Sequence, residues 1–195
     1  MFNRSKYGKL LKIILIISIV AIIGIIAVIS YKAYNSYYIV NGAAEAVSKF
    51  EQAVQNSTNI TTKYKEFTVI GTIQIPDIDF KYPILQENDT KALETSVVLM
   101  YTAQGLNNKG NSVITGHNYR NGTMFSNLNK LTKGDYIYIT DTTGRKVKYE
   151  IYSIYEAKES DNTYITRNTD GKKEITLSTC TNNSKSRTII LAEEE

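Results

Sequence analysis

The sequence predicts a mostly β protein: a closed or nearly closed barrel of seven or eight short strands with short helices, preceded by an N-terminal transmembrane helix and a helical stalk. Hydrophobic residues alternate at a period of two from Phe67 onward, and turn signals separate the alternating segments. A long apolar run near the N-terminus predicts the membrane helix. With 195 residues, the chain has room for one domain and an appendage.

Residues 1–30 are predicted to form a basic flank and a membrane anchor. The run from Ile13 to Ile29 is apolar apart from Ser18 and Gly24, and as a helix it would span roughly 25 Å of a hydrocarbon core of about 30 Å. Four basic residues and no acidic ones precede it: Arg4, Lys6, Lys9 and Lys12. Positive charge favours the cytoplasmic side, so we expect a single-pass protein that contacts the cell membrane through residues 10–30 and has the remainder outside. The alternative is a cleaved signal peptide, whose apolar region would be shorter and followed by small residues at a cleavage site.

Residues 31–66 are predicted to form the helical stalk. Ala43, Val47, Phe50 and Val54 recur at three- and four-residue spacing and make one narrow apolar stripe. That stripe would pack on the domain that follows. The polar stretch 55–59 equally supports a partly ordered spacer.

Residues 67–195 are predicted to form the barrel domain. Short helical turns are predicted at 90–95 and 124–131, and turns containing glycine separate several strands. The predicted strands are 67–75, 97–100, 112–115, 136–140, 146–155, 174–179 and 187–191. So many short strands with little helix are typical of a barrel.

Charge and composition exclude several classes of function. The net charge is +4, and the four basic residues ahead of the apolar run account for it. The remainder is neutral, which gives no reason to expect a nucleic-acid partner. A single cysteine excludes an internal disulfide and a multi-cysteine zinc site. We predict no cofactor and no metal. The acidic residues of one segment are interpreted as solvated loop charges rather than as a calcium site: Asp77, Asp79, Glu87 and Asp89.

The one cysteine, Cys180, is the first candidate for chemistry. Strand alternation places Ile175 and Leu177 on the core face and Cys180 on the opposite face, at the end of its strand. A lone cysteine is commonly an inert small hydrophobic residue. The outward placement and the extracellular setting favour a reactive thiol.

His117 and Arg187 complete the candidate set. His117, the sole histidine, follows the predicted strand 112–115, and its imidazole could take up and return a proton. Arg187 opens the strand after a short loop, so it should lie beside Cys180 on an antiparallel neighbour and stabilise an oxyanion. The alternatives are an inert loop histidine and a surface arginine in an ion pair.

The segment 176–180, Thr-Leu-Ser-Thr-Cys, resembles the Thr-Leu-x-Thr-Cys signature of the sortase family. The family's histidine commonly follows a glycine after a hydrophobic strand, as in Val113-Ile114-Thr115-Gly116-His117, and its arginine opens the last strand, as Arg187 does. The similarity extends from Phe67 to the C-terminus. Features of this sequence resemble classes A, B and D of the family without deciding between them.

The resemblance implies a closed, eight-stranded sortase-type barrel and a cysteine transpeptidase on the surface of a Gram-positive bacterium. Such enzymes cleave a Leu-Pro-x-Thr-Gly-like sorting signal between Thr and Gly. Carried over, Cys180 forms the thioacyl intermediate, His117 is the general acid/base and Arg187 positions the substrate, while Ser178 and Thr179 line the peptide groove. The expected partners are surface proteins bearing the signal and an amine acceptor on a cell-wall precursor. Slow hydrolysis by water is expected as a side reaction, and we expect a monomer.

Two other classes of function remain alternatives. A membrane-tethered barrel without chemistry would bind cell-wall components or a partner protein through its abundant tyrosines: Tyr136, Tyr138, Tyr149, Tyr152 and Tyr155. Strand tyrosines with one buried face are commoner than such a binding face. A papain-like peptidase fits less well, because its cysteine precedes its histidine and opens a helix.

Overall fold

A computed structural model describes residues 4–56, 60–181 and 185–195. The chain divides into two compact units, 1–38 and 39–195. Helix α1 (Arg4–Asn56) contains the apolar run, and by length and composition it can cross a membrane. The side chains of this run are exposed, as contact with lipid requires.

The last third of α1, from Ile39 onward, belongs to the C-terminal unit, where its apolar stripe is buried. Ala43 and Phe50 are fully buried and Val47 nearly so, and Phe50 packs in a cluster with Phe67 and Leu85. The predicted packing of the stripe is therefore confirmed. Within the predicted stalk, α1 extends to Asn56, and Thr62–Tyr64 form a short strand where helix was predicted. Residues 57–59 of the predicted stalk lie outside the described residues.

The barrel is closed and has eight strands, as predicted. The strands are β1 (Thr62–Tyr64), β2 (Phe67–Ile75), β3 (Phe80–Leu85), β4 (Val97–Thr102), β5 (Gly110–Thr115), β6 (Tyr136–Asp141), β7 (Lys146–Lys158), β8 (Lys173–Thr181) and β9 (Ser186–Glu194). The ring runs β2-β3-β4-β5-β8-β9-β7-β6 and closes through pairing of β6 with β2. The short β1 pairs with the first residues of β2, outside the ring.

All seven predicted strands are present, several of them longer than predicted, and β1 and β3 are additional. Helix α2 (Thr90–Thr95) lies where a helical turn was predicted, and 3-10 turns occupy Pro76–Ile78 and Phe125–Lys130. β3 contains Pro83, which has no backbone N–H to donate to a neighbouring strand. β4 pairs with β3 only at Ile84 and Leu85. Among the described strands, Pro83 therefore pairs with β2 alone and has no paired strand on its other side.

The barrel interior is filled by aliphatic and aromatic side chains of alternating strand positions. Ile73, Ile114, Leu177 and Ile190 are fully buried there. The neighbouring strands of the ring pair antiparallel, with two exceptions: β3 with β4, and β5 with β8. The β5–β8 exception brings the carboxyl ends of two strands to one edge of the barrel.

Candidate active site

Cys180 and Arg187 face each other across the β8–β9 pair. The two strands are antiparallel, and Cys180 lies directly opposite Arg187 in their register. The Arg187 guanidinium reaches the sulfur, with Nη1 donating to Sγ at 3.2 Å. Cys180 is half-buried and belongs to none of the three apolar clusters. The thiol thus lies beside a cation at the barrel edge rather than in the core.

His117 lies at the same edge, at the end of the strand on the other side of β8. β5 runs parallel to β8 with Thr115 opposite Ser178, and Gly116 N continues the pairing by donating to Ser178 O at 3.3 Å. Two positions after Thr115 lies His117, and two positions after Ser178 lies Cys180. The structure therefore places the three predicted residues at one edge of the barrel, from positions far apart in the sequence.

The glycine before His117 is required by close packing. A Cβ atom at Gly116 would lie 2.8 Å from Val97 Cγ1 and 2.9 Å from Phe125 Cδ2, both shorter than ordinary carbon contacts. Phe125 N also donates to His117 O at 3.0 Å. The backbone at His117 is thereby held against the barrel wall.

The electrostatic surroundings of His117 favour its neutral form. Burial lowers the pKa of His117 from its usual 6.5, and the negative charge of Glu94 opposes that shift. Glu94 lies on α2. The Tyr119 ring packs on the imidazole, with centroids 4.9 Å apart. A neutral imidazole at physiological pH can accept a proton, as a general base must.

Ser178 and Thr179 are buried in the structure, at 1% and 2% exposure. The Thr179 hydroxyl donates to Gly116 O at 2.7 Å, and the Ser178 hydroxyl donates to Tyr164 Oη at 3.4 Å. Both hydroxyls serve contacts within the protein. Their place in a peptide groove stays a prediction.

The connection between β7 and β8, residues 159–172, packs on the barrel beside the site. Asn111 of β5 holds it, since Nδ2 donates to Tyr164 O and to Ile165 O, both at 2.9 Å. At the start of this connection, Glu159 Oε1 lies 3.9 Å from Arg187 Nη2. Sequence reasoning missed Asn111 and Tyr164 because their contact joins residues more than fifty positions apart.

The strand tyrosines do not form one exposed face. Tyr149 is buried in the core, and the Tyr152 hydroxyl donates to Glu174 Oε2 at 2.6 Å. Lysine ammonium groups lie over the rings of Tyr136 and Tyr138. These strand tyrosines therefore do not form the single aromatic surface that the binding-module alternative requires.

Two of the acidic residues considered for calcium have structural contacts. Glu87 accepts hydrogen bonds from the backbone and the hydroxyl of Thr68, both at 2.8 Å. Asp89 caps α2 by accepting from Ala92 N at 2.9 Å. Among the residues that the structure describes, no group of three or more His, Cys, Asp or Glu side chains is arranged to hold a metal ion.

Comparison with known proteins gives consistent matches. The family model described as a sortase domain matches residues 73–195. Sortase A of Bacillus anthracis is 33% identical over 113 residues, which cover 57% of this chain and 52% of that protein. Sortase A of Listeria monocytogenes is 31% identical over 147 residues, covering 72% and 64%. The chain thus spans between half and two thirds of the length of these curated relatives.

Solved structures show the same similarity in three dimensions. A sortase D5 transpeptidase of Clostridium perfringens has a TM-score of 0.64 and 29% identity, covering 80% of this chain and 96% of that one. Sortase A from Corynebacterium diphtheriae has a TM-score of 0.60 and 26% identity, covering 87% and 92%.

Proposed function

The chain belongs to the sortase family, whose members are cysteine transpeptidases, and from that premise we propose that it attaches proteins to the cell wall. The proposed substrate is a surface protein carrying a Leu-Pro-x-Thr-Gly-like sorting signal. The enzyme cleaves between Thr and Gly and passes the acyl group to an amine of a cell-wall precursor. Helix α1 anchors it in the membrane, with the N-terminus in the cytoplasm and the barrel outside.

The first step of the proposed reaction forms a thioester. His117 takes the proton of the Cys180 thiol, and the sulfur, now a thiolate, attacks the carbonyl carbon of the substrate threonine, so that negative charge develops on the carbonyl oxygen. Arg187 donates to that oxygen and stabilises the charge. The bond from the carbonyl carbon to the glycine nitrogen then breaks, and the His117 imidazolium gives its proton to the departing amine.

The second step releases the acyl group. The amine acceptor attacks the thioester carbonyl, the carbon–sulfur bond breaks and a new amide forms. His117 takes the proton that the acceptor amine loses and returns it to the Cys180 thiolate, so that both residues regain their starting states. Water reacts in place of the amine in a slow hydrolytic side reaction.

The single observation that carries this proposal is the 3.2 Å contact between Arg187 Nη1 and Cys180 Sγ. This contact lies at the edge of the barrel where His117 follows β5. A half-buried thiol with a guanidinium donor and a nearby imidazole has the parts that acyl transfer through a thioester needs. A cysteine with only a packing role would lie among apolar side chains instead.

The test is intact-mass spectrometry of the full chain in detergent with sorting-signal peptides. Because the chain has one cysteine, a mass increase equal to the acyl fragment identifies the thioester at Cys180. Added glycine peptide should discharge it into a new amide. The Cys180→Ala variant should keep the wild-type circular dichroism spectrum and form no adduct.

Cleavage that persists in Cys180→Ala would reject the proposed mechanism. A wild-type chain that forms no adduct, and whose thiol resists alkylation while folded, would point instead to a tethered barrel that binds without chemistry.

A further inference from the structure

The pairing of β5 with β8 continues past the regular ladder through side chains. The backbone register ends at Thr115 opposite Ser178. Beyond it, the Thr115 hydroxyl and Gly116 N both donate to Ser178 O, at 3.0 and 3.3 Å. The Thr179 hydroxyl then donates to Gly116 O at 2.7 Å. Hydroxyl groups thus add to the backbone bonds where the two strands approach the site.

Asn118 makes the last bond of this series, and it reaches the nucleophile's own backbone. Its Nδ2 donates to Cys180 O at 3.1 Å. Its Oδ1 accepts from Arg120 N at 3.2 Å, and its backbone pairs with Met124 in an isolated bridge. The amide is therefore fixed at both ends, between the segment that follows His117 and the end of β8.

The imidazole itself has little to hold it. Within residues 60–181, where the structure describes it, the His117 ring makes no hydrogen bond, and it contacts the Tyr119 ring. Catalytic histidines are usually oriented by a hydrogen bond to one ring nitrogen. Here the position of the ring is set by the backbone on either side of it: Gly116 packed against the barrel, and Asn118 tied to Cys180.

We propose that Asn118 is a positioning residue, which holds the His117 imidazole within reach of the Cys180 sulfur by tying the segment after the histidine to the Cys180 carbonyl. This inference rests on the proposed transpeptidase function. The link acts at the residue next to the base and at the residue that carries the nucleophile, so its loss changes their separation directly. Misplacing a reacting group by about 1 Å lowers a rate by about 100-fold.

Two variants of the full chain in detergent test the inference. Asn118→Ala removes both amide contacts, and Asn118→Asp keeps the volume and the acceptor for Arg120 N but loses the donor to Cys180 O. We expect each to lower kcat by about 10- to 100-fold while KM stays within about twofold, since the peptide contacts are unchanged. Asn129→Ala, an exposed asparagine in the same β5–β6 connection, is the matched control and should behave as wild type.

A second readout separates positioning from a general loss of stability. Burial lowers the pKa of His117, so a loosened segment should expose the ring and raise that pKa toward 6.5 in Asn118→Ala. NMR titration of the chain's one histidine measures this directly. The melting temperature of each variant is recorded in parallel.

Each outcome has one meaning. A selective fall in kcat together with a raised histidine pKa supports the inference. Activity of Asn118→Ala and Asn118→Asp within threefold of wild type overturns it and leaves the proposed function intact. A fall in kcat that follows the melting temperature, with an unchanged histidine titration, overturns it in favour of a structural role. Wild-type chain that forms no thioester rejects the proposed function and this inference with it.

Discussion

Replacing Arg187 with alanine should slow acyl transfer by two to three orders of magnitude. The guanidinium lies opposite Cys180 in the β8–β9 register, with Nη1 3.2 Å from Sγ. A carbonyl carbon attacked by that sulfur must place its oxygen within reach of the same donor. Removing one oxyanion donor typically raises the barrier by about 2.7–4 kcal/mol, which is about a 100- to 1,000-fold loss of kcat.

The Arg187→Lys variant tests whether a positive charge alone is enough to stabilise the oxyanion. Arg187 directs Nη1 to the sulfur, and its Nη2 lies 3.9 Å from Glu159 Oε1, an arrangement that a planar fork allows. Lysine offers a compact point charge on a flexible stem, so Arg187→Lys should fall between wild type and Arg187→Ala. Arg120→Ala removes an equal charge from an exposed position near His117 and should leave kcat unchanged.

The assay measures kcat and KM separately, with a fluorogenic sorting-signal peptide and an added amine acceptor. A loss confined to KM would mean that the guanidinium holds the bound peptide and does not stabilise the oxyanion. Activity of Arg187→Ala within fivefold of wild type would refute the assigned role altogether.

Two further predictions concern the stalk helix and the histidine. Phe50→Ala should lower the free energy of unfolding by about 3–5 kcal/mol, because Phe50 is fully buried and its loss leaves a cavity. Thermal unfolding measures the loss. Gln52→Ala, at an exposed position of the same helix, should change the free energy of unfolding by less than about 0.5 kcal/mol. Glu94→Gln should lower the pKa of His117 further, because the Glu94 charge raises it; NMR titration and the acid limb of kcat/KM should both move to lower pH. Glu150→Gln on β7 should leave both unchanged, and a shift equal to that of Glu94→Gln would contradict the assignment.

The strands that sequence reasoning found share a simple physical property. β2 and β6 bury one face more than the other, so their hydrophobic residues alternate. β3 is buried at five of its six residues and shows no alternation, and Pro83 lies inside it. Its place as a strand follows from pairing with β2 and β4, which local sequence does not show.

The contacts of the candidate site also differ in whether local sequence predicts them. Cys180 and Arg187 are seven positions apart, and a strand–loop–strand pattern is enough to predict that they face each other. The contact of Asn118 with Cys180 joins residues that the fold alone brings together, and so does the contact of Asn111 with Tyr164 near the start of β5. Asn111 is buried in β5, where its amide must find partners because water is excluded.

The convergence of the three residues depends on one parallel pair within a mostly antiparallel barrel. If β5 ran antiparallel to β8, the end of β5 would meet the beginning of β8, and His117 would lie a strand length away from Cys180. Because the two run parallel, both strands end at the same edge. β9 is antiparallel to β8, so its first residues, including Arg187, start where β8 ends. The proposed base, nucleophile and cation therefore come from two strand ends and one strand beginning, and the direction of β5 decides whether they lie at the same edge.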